Sequence, residues 1–149
     1  MFAQLIDFGF AADALPGHDF ITRTFMGGTK DYLSPESLAA HYRYEDGILS
    51  KVPKARIKVG FKSDIWALGV ILFQLTYGGV APFSHEPGGR ESRIGALINP
   101  DRRVEFEPID DDTLIEAMSQ SLEKLPEKRA TASRLLMQEF LRPNAKKRP

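Results

Sequence analysis

The chain has 149 residues, 42% apolar and 27% charged, which fits one globular domain with a real core and argues against disorder. Twenty basic and twenty acidic side chains cancel, so no global field marks a nucleic-acid or membrane-surface binder. The lack of cysteine excludes a disulfide framework and a thiolate metal site, and fits a reducing compartment. In chain order, Phe2 to Ile6 is expected to form a short buried strand ending in Asp7-Phe8-Gly9. Phe10 to Thr29 sustains no period and is punctuated by Pro16, Gly17, Gly27 and Gly28, which predicts a long loop. Loops of that length are usually functional or disordered.

Pro35 to Ala40 is predicted as a short helix, with Ser34 as N-cap and Pro35 at the first helical position. His41 to Gly60 is polar and basic (Arg43, Lys51, Lys54, Arg56, Lys58) and reads as a surface insert. Ser63 or Asp64 is then expected to cap a helix running to about Tyr77, ended by Gly78 and Gly79. It carries apolar residues around its whole circumference, which predicts a central helix buried on all sides. No formal charge occurs from Ile65 to His85, yet the unbroken apolar part ends at Phe73. That is well short of the ~20 residues a membrane span needs. Further helices are expected over Ser92 to Ile98, Thr113 to Leu122 and Ala132 to Phe140. Asp110 to Asp112 complement the dipole of the second of these. The apolar start at Met1 is too short for a secretory leader and has no basic flank.

Four blocks carry the chemistry. Asp7-Phe8-Gly9 ends an apolar run, and Gly28-Thr29-Lys30-Asp31-Tyr32-Leu33-Ser34-Pro35-Glu36 follows the long loop. Lys62-Ser63-Asp64-Ile65-Trp66 opens the apolar helix, and Pro126-Glu127-Lys128-Arg129 comes near the end. Their order resembles the second half of the protein kinase signature set, and the resemblance covers residues 2 to about 142.

The resemblance implies a mainly α, protein-kinase-like C-terminal lobe, part of an α+β kinase domain, with a buried central helix and a short β stub at the N-terminus. The implied domain spans 1–142, followed by a basic tail at 143–149. Asp7 matches the aspartate that holds magnesium across the phosphates of ATP, and Gly9 the glycine on which the loop pivots. Thr29 matches a residue that contacts the catalytic groups beside the substrate hydroxyl in serine/threonine kinases. Glu36 and Arg129 match a buried ion pair. Asp64 matches an anchor of the catalytic loop, and Trp66 packs beneath it. Thr22 and Thr24 fall in the implied activation loop, beside Arg23, as phosphosites.

The residues also admit structural readings. Asp7 could end a strand in a turn, Asp64 could cap a helix, and the basic insert could be a solvated loop. Glu36 and Arg129 are structural on either reading. His18, His41 and His85 have no metal-ligand spacing.

Three further features resemble the monopolar-spindle, or spindle-checkpoint, dual-specificity kinases. They are the basic insert between Glu36 and Asp64, the run Leu72 to Gly78 leading to Pro82-Phe83, and Ala96-Leu97-Ile98-Asn99-Pro100 followed by Val104-Glu105-Phe106. Two departures stand beside them. Ser34 replaces the usual alanine before Pro35, and Leu125 stands where an aspartate usually precedes Pro126, so one polar contact near Arg129 is expected to be lost.

The glycine-rich loop, strand lysine, helix glutamate and catalytic-loop aspartate and asparagine of phosphoryl transfer cannot be found in these residues. The chain alone is therefore expected not to transfer phosphate. It is expected to be either part of a longer serine/threonine kinase, acting on protein substrates with ATP and magnesium, or a non-catalytic module that uses the kinase lobe as a binding platform. Neither nucleic acid nor membrane is an expected partner. The expected location is intracellular, cytoplasmic or nuclear or both. The apolar helix would leave surface uncovered in the chain alone, which predicts marginal solubility.

Overall fold

A computed structural model describes residues 4–14, 16–24 and 29–141. Among the described residues helices dominate, and the strands are four short pieces in two separate antiparallel pairs. Strand β1 (Phe20–Arg23) lies within the segment expected to be an unbroken loop. A single 3₁₀ turn (Lys30–Tyr32) leads into α1 (Pro35–His41). Strands β2 (Tyr42–Glu45), β3 (Ile48–Lys51) and β4 (Ile57–Gly60) follow. Then come α2 (Phe61–Thr76), α3 (Gly89–Ile98), α4 (Asp112–Ser121), α5 (Ala132–Leu136) and a closing 3₁₀ turn (Glu139–Leu141).

The basic insert is therefore not a plain loop. Tyr42, Tyr44 and Leu49 alternate with exposed residues along β2 and β3, the period-two pattern of a half-buried ribbon. Asp46 and Gly47, with φ of 50° and 80°, supply the two left-handed residues that a tight hairpin turn requires. The ribbon packs on α3, where a Cβ on Gly95 would stand 2.4 Å from the Tyr44 ring. The far end of the insert, β4, runs antiparallel to β1, with Thr22 opposite Lys58.

The core gathers on α2. Trp66 and Val70 pack with Leu38 of α1, Leu97 of α3, and Met118 and Leu122 at the end of α4. Gly69 lets α2 and α4 approach, since a Cβ there would meet Ser121 Cβ at 2.8 Å. The Asp111 carboxylate caps α4 by accepting from the Leu114 N–H at 3.1 Å, a role beyond the dipole complement expected of the acidic run. Two features matched to the monopolar-spindle kinases also meet: Phe106 packs on Phe73, ring centres 6.0 Å apart, and the Tyr77 hydroxyl donates to the Glu107 carbonyl.

Four expectations need correction. The described part of the N-terminal run, Gln4 to Phe8, forms no strand, and residues 2 and 3 lie outside the described residues. Leu5 and Ile6 are exposed, because no described strand lies beside them to take their backbone hydrogen bonds. Neither Ser63 nor Asp64 caps α2: the helix begins at Phe61 with Gly60 as N-cap. Nor is α2 buried all round, since Phe61, Leu68, Ile71 and Leu75 are 62%, 40%, 44% and 78% exposed. The predicted helix from Ala132 to Phe140 breaks after Leu136, and Leu136 faces outward while Leu135 is buried. The basic tail after Arg142 lies outside the described residues.

Candidate functional site

The site is built around Arg129, whose side chain is fully buried. A guanidinium has five N–H donors and no acceptor, and all five are taken. Nη1 donates to Glu36 Oε1 at 2.9 Å and to the Lys62 carbonyl at 2.7 Å. Nη2 donates to Glu36 Oε2 at 2.8 Å and to the Lys124 carbonyl at 3.1 Å, and Nε to the Glu123 carbonyl at 2.7 Å. The guanidinium also lies over the Trp66 ring, 5.2 Å from its centre. Leu125 in place of an aspartate therefore loses no polar contact at Arg129, because main-chain carbonyls fill the remaining donors.

Around this pair the blocks lock together. Ser63 Oγ donates to Glu36 Oε1 at 3.2 Å, and Lys62 Nζ donates back to the Arg129 carbonyl. Ser34 Oγ reaches both Ser37 and Ser63, so a hydroxyl where alanine is usual is satisfied rather than stranded. Burial alone would push the Glu36 carboxyl up; the Arg129 guanidinium more than offsets this, and its pKa lies below the ordinary value.

Beside this lock, β1, β4 and the head of α2 line a cleft of about 430 Å³ that includes Phe10, Ile21, Ile57, Ser63 and Asp64. The Arg23 guanidinium spans one end, donating to the Phe10 carbonyl at 2.6 Å. Asp64 has no hydrogen-bond or ion-pair partner among the described residues, and its partial burial raises its pKa. Asp64 is nonetheless exposed at the cleft, whereas Trp66 Nε1 is buried and unpartnered among the described residues.

The other predicted positions lie apart from this lock. Asp7 is exposed at φ 61°, with Oδ1 accepting from the Gly9 N–H at 3.2 Å. Thr29 is exposed and precedes the 3₁₀ turn without a side-chain cap bond. Neither lines the cleft. Thr22 sits exposed in β1, and Thr24 is exposed just after it. Among the described residues no group of three or more His, Cys, Asp or Glu is placed to hold a metal, and no helix is long and apolar enough to cross a membrane.

Sequence reasoning missed Arg93. It is buried in α3, donates Nε to the Pro82 carbonyl at 3.0 Å, and makes an ion pair with Asp31. It thereby anchors the turn that follows Thr29. The available signal was an arginine directly before the apolar pair Ile94 and Leu97 of a weakly patterned helix.

A buried Glu-Arg lock joining a Ser-Pro-Glu block to a late arginine, at the head of a helix opening Ser-Asp-Ile-Trp, defines a protein kinase domain. The family model for that domain matches residues 2–141, and the chain belongs to this family. Within it, the chain is 32% identical over 138 residues to the dual specificity protein kinase TTK of Mus musculus. It is 33% identical over 147 residues to the serine/threonine-protein kinase MPS1 of Saccharomyces cerevisiae. It is 35% identical over 141 residues to the probable serine/threonine-protein kinase mps1 of Dictyostelium discoideum. These matches cover 93%, 94% and 93% of this chain but only 15%, 19% and 13% of the relatives. They bear out the resemblance to the monopolar-spindle kinases.

Proposed function

We propose that this chain forms the C-terminal lobe of a serine/threonine kinase that transfers the γ-phosphoryl group of ATP to protein hydroxyls. The 149 residues alone do not catalyse that transfer, because they contain no glycine-rich loop, strand lysine or catalytic-loop aspartate. The observation that carries this reading is the unpartnered Asp64 carboxyl in the cleft beside the satisfied Glu36–Arg129 lock. Asp64 is exposed at the cleft, where water solvates it, and a catalytic segment seated in the cleft would supply main-chain N–H groups to it in place of that water.

On this reading Asp7, an exposed hard-oxygen ligand, fits one protein position of a magnesium site completed by phosphates. Magnesium with ATP would neutralise charge on the transferring group. Gly9 leaves the Asp7 turn free to move, and Thr29 faces the acceptor hydroxyl. Arg93, through Asp31, holds the turn that carries Thr29. Glu36, Arg129 and Trp66 are positioning residues that never touch the nucleotide. Thr22 and Thr24 are phosphosites of the activation segment. The acceptor is serine or threonine, with tyrosine added if the dual specificity named for the mouse relative extends here. The domain is assigned to 1–142, and the location to the cell interior.

The exposed apolar stripe of α2 favours a second reading, a non-catalytic module that docks a partner on that helix. Reading the transcript upstream of Met1, and assaying phosphate transfer by the chain with and without any upstream sequence, separates the two. Transfer is expected only when a catalytic loop and ATP-binding lobe are restored. Transfer by the 149 residues alone, or silence of a chain with every motif restored, overturns the proposal.

A further inference from the structure

We infer that β4 of the basic insert, with Arg56 just before it, reads phosphate, Lys58 binding phosphate placed on Thr22 and Arg56 that on Thr24. The inference deepens the kinase reading and rests on its assignment of those threonines as phosphosites.

The register is the starting point. Thr22 stands directly opposite Lys58 in the antiparallel pair, and opposed residues in such a ladder have side chains on the same face about 5 Å apart. Burial agrees with that alternation. Ile21, Arg23, Ile57 and Val59 line the cleft, joined at the end of the ladder by the pair Phe20 and Gly60, whereas Thr22 and Lys58 do not line it and are exposed. Arg56 is exposed two residues before Lys58, with buried Ile57 between them. Thr24, two residues after Thr22, is exposed as well. Each threonine of the segment is thus matched by a cation of the insert, in the order an antiparallel pairing requires.

The cations are available. Lys58 Nζ rests over the Phe20 ring, 4.7 Å from its centre, which holds the ammonium above the ladder. Neither Lys58 nor Arg56 has a carboxylate partner among the described residues. The nearest acidic residue in sequence to β1, Asp19, lines the cleft on the other face. The pairing itself is closely fitted: Phe61 N–H donates to the Asp19 carbonyl, and a Cβ on Gly60 would stand 2.7 Å from that oxygen.

Phosphorylation transfers the γ-phosphoryl of ATP to a threonine Oγ; the β–γ P–O bond breaks, and ADP and the hydroxyl proton leave. The product carries about −1.5 to −2 charges at neutral pH and three strong acceptors. Opposite Lys58 and Arg56 it forms charge-assisted hydrogen bonds across the strand pair. The activation segment is then fastened to the insert, over the cleft that holds Asp64.

The test is hydrogen exchange of residues 20–24 and 56–60 in the chain, with and without phosphothreonine installed at positions 22 and 24. Exchange there is expected to slow by about five- to tenfold in the phosphorylated chain. Lys58→Gln with Arg56→Gln should abolish the gain, Lys58→Arg should keep it, and about 0.5 M salt should shrink it. Trp66 fluorescence and the thermal melt report whether the double variant folds; if it does not, the salt titration and Lys58→Arg carry the test. Unchanged or faster exchange on phosphorylation, or a gain that survives loss of both cations or high salt, overturns the inference. The exchange readout needs no catalysis, so a failed transfer assay on a lengthened chain leaves it standing, and its failure leaves the kinase reading standing.

Discussion

Arg129 shows how one side chain can join distant parts of a chain. Its guanidinium bonds Glu36, 93 residues away, and the carbonyls of Lys62, Glu123 and Lys124. Removing one partner of a buried pair leaves the other uncompensated. Glu36 is 25% exposed in its side chain, so Arg129→Ala is expected to cost about 3 kcal/mol, the low end for buried pairs. Urea unfolding measures it; a loss below about 1 kcal/mol would make the lock a surface-type ion pair. The pH dependence has a definite sign. The Glu36 carboxyl is held below its ordinary value of 4.5 in the fold, so the unfolded state binds the proton first as pH falls. Its contribution is therefore complete above pH 4.5 and is lost as pH drops through the folded pKa. Glu36→Gln should flatten that slope. The pairing of Glu36 with Arg129 was legible in the sequence. The five-acceptor cage was not, because the three residues whose carbonyls complete it, Lys62, Glu123 and Lys124, are of ordinary type and carry no signal until the backbone brings them together.

At the scale of elements, the α2–α4 contact depends on a missing side chain. A Cβ at Gly69 would lie 2.8 Å from Ser121 Cβ and 2.9 Å from Leu122 Cγ, atoms held by helix backbone and core packing. Gly69→Ala gains up to about 1 kcal/mol of helix propensity, but overpacking of this kind costs about 1–3 kcal/mol. A net loss of about 1–2 kcal/mol is expected in the melt; stabilisation would show that the helices can separate freely. The β2–β3 ribbon was readable: alternating Tyr42, Tyr44 and Leu49 flank Asp46-Gly47, a strong short hairpin signal. The basic side chains between Arg43 and Lys58 drew the eye to charge and away from that period. Strand β1 was harder, because its four residues acquire strand character only through their partner β4, more than thirty positions later.

For the whole molecule, the stripe of α2 bearing Leu68, Ile71 and Leu75 determines how the chain behaves in water. An apolar helix face left open invites association. Leu75→Lys, at a position 78% exposed, is expected to raise the monomer fraction in analytical ultracentrifugation without lowering the melting temperature. A drop in melting temperature on this change would mean that Leu75 packs against something in solution. The all-round apolar pattern pointed to a helix buried on every side, and the exposed Leu68, Ile71 and Leu75 fit the companion expectation that the chain alone leaves part of that surface uncovered. Apolar residues all round report what a helix is built to contact, and the fold decides which contacts are present.

The sequence by itself determined the family, the order of the signature blocks, the end of the apolar helix at the glycine pair, and the partnership of Glu36 with Arg129. Each is carried by residue type at fixed spacing, which survives without coordinates. Only the tertiary structure decided that α2 begins at Phe61, that Asp64 stands unpartnered at a cleft, and that Thr22 faces Lys58 across a strand pair. Those facts are relations between segments far apart in the chain, set by which backbone groups find hydrogen-bond partners and which faces find cover.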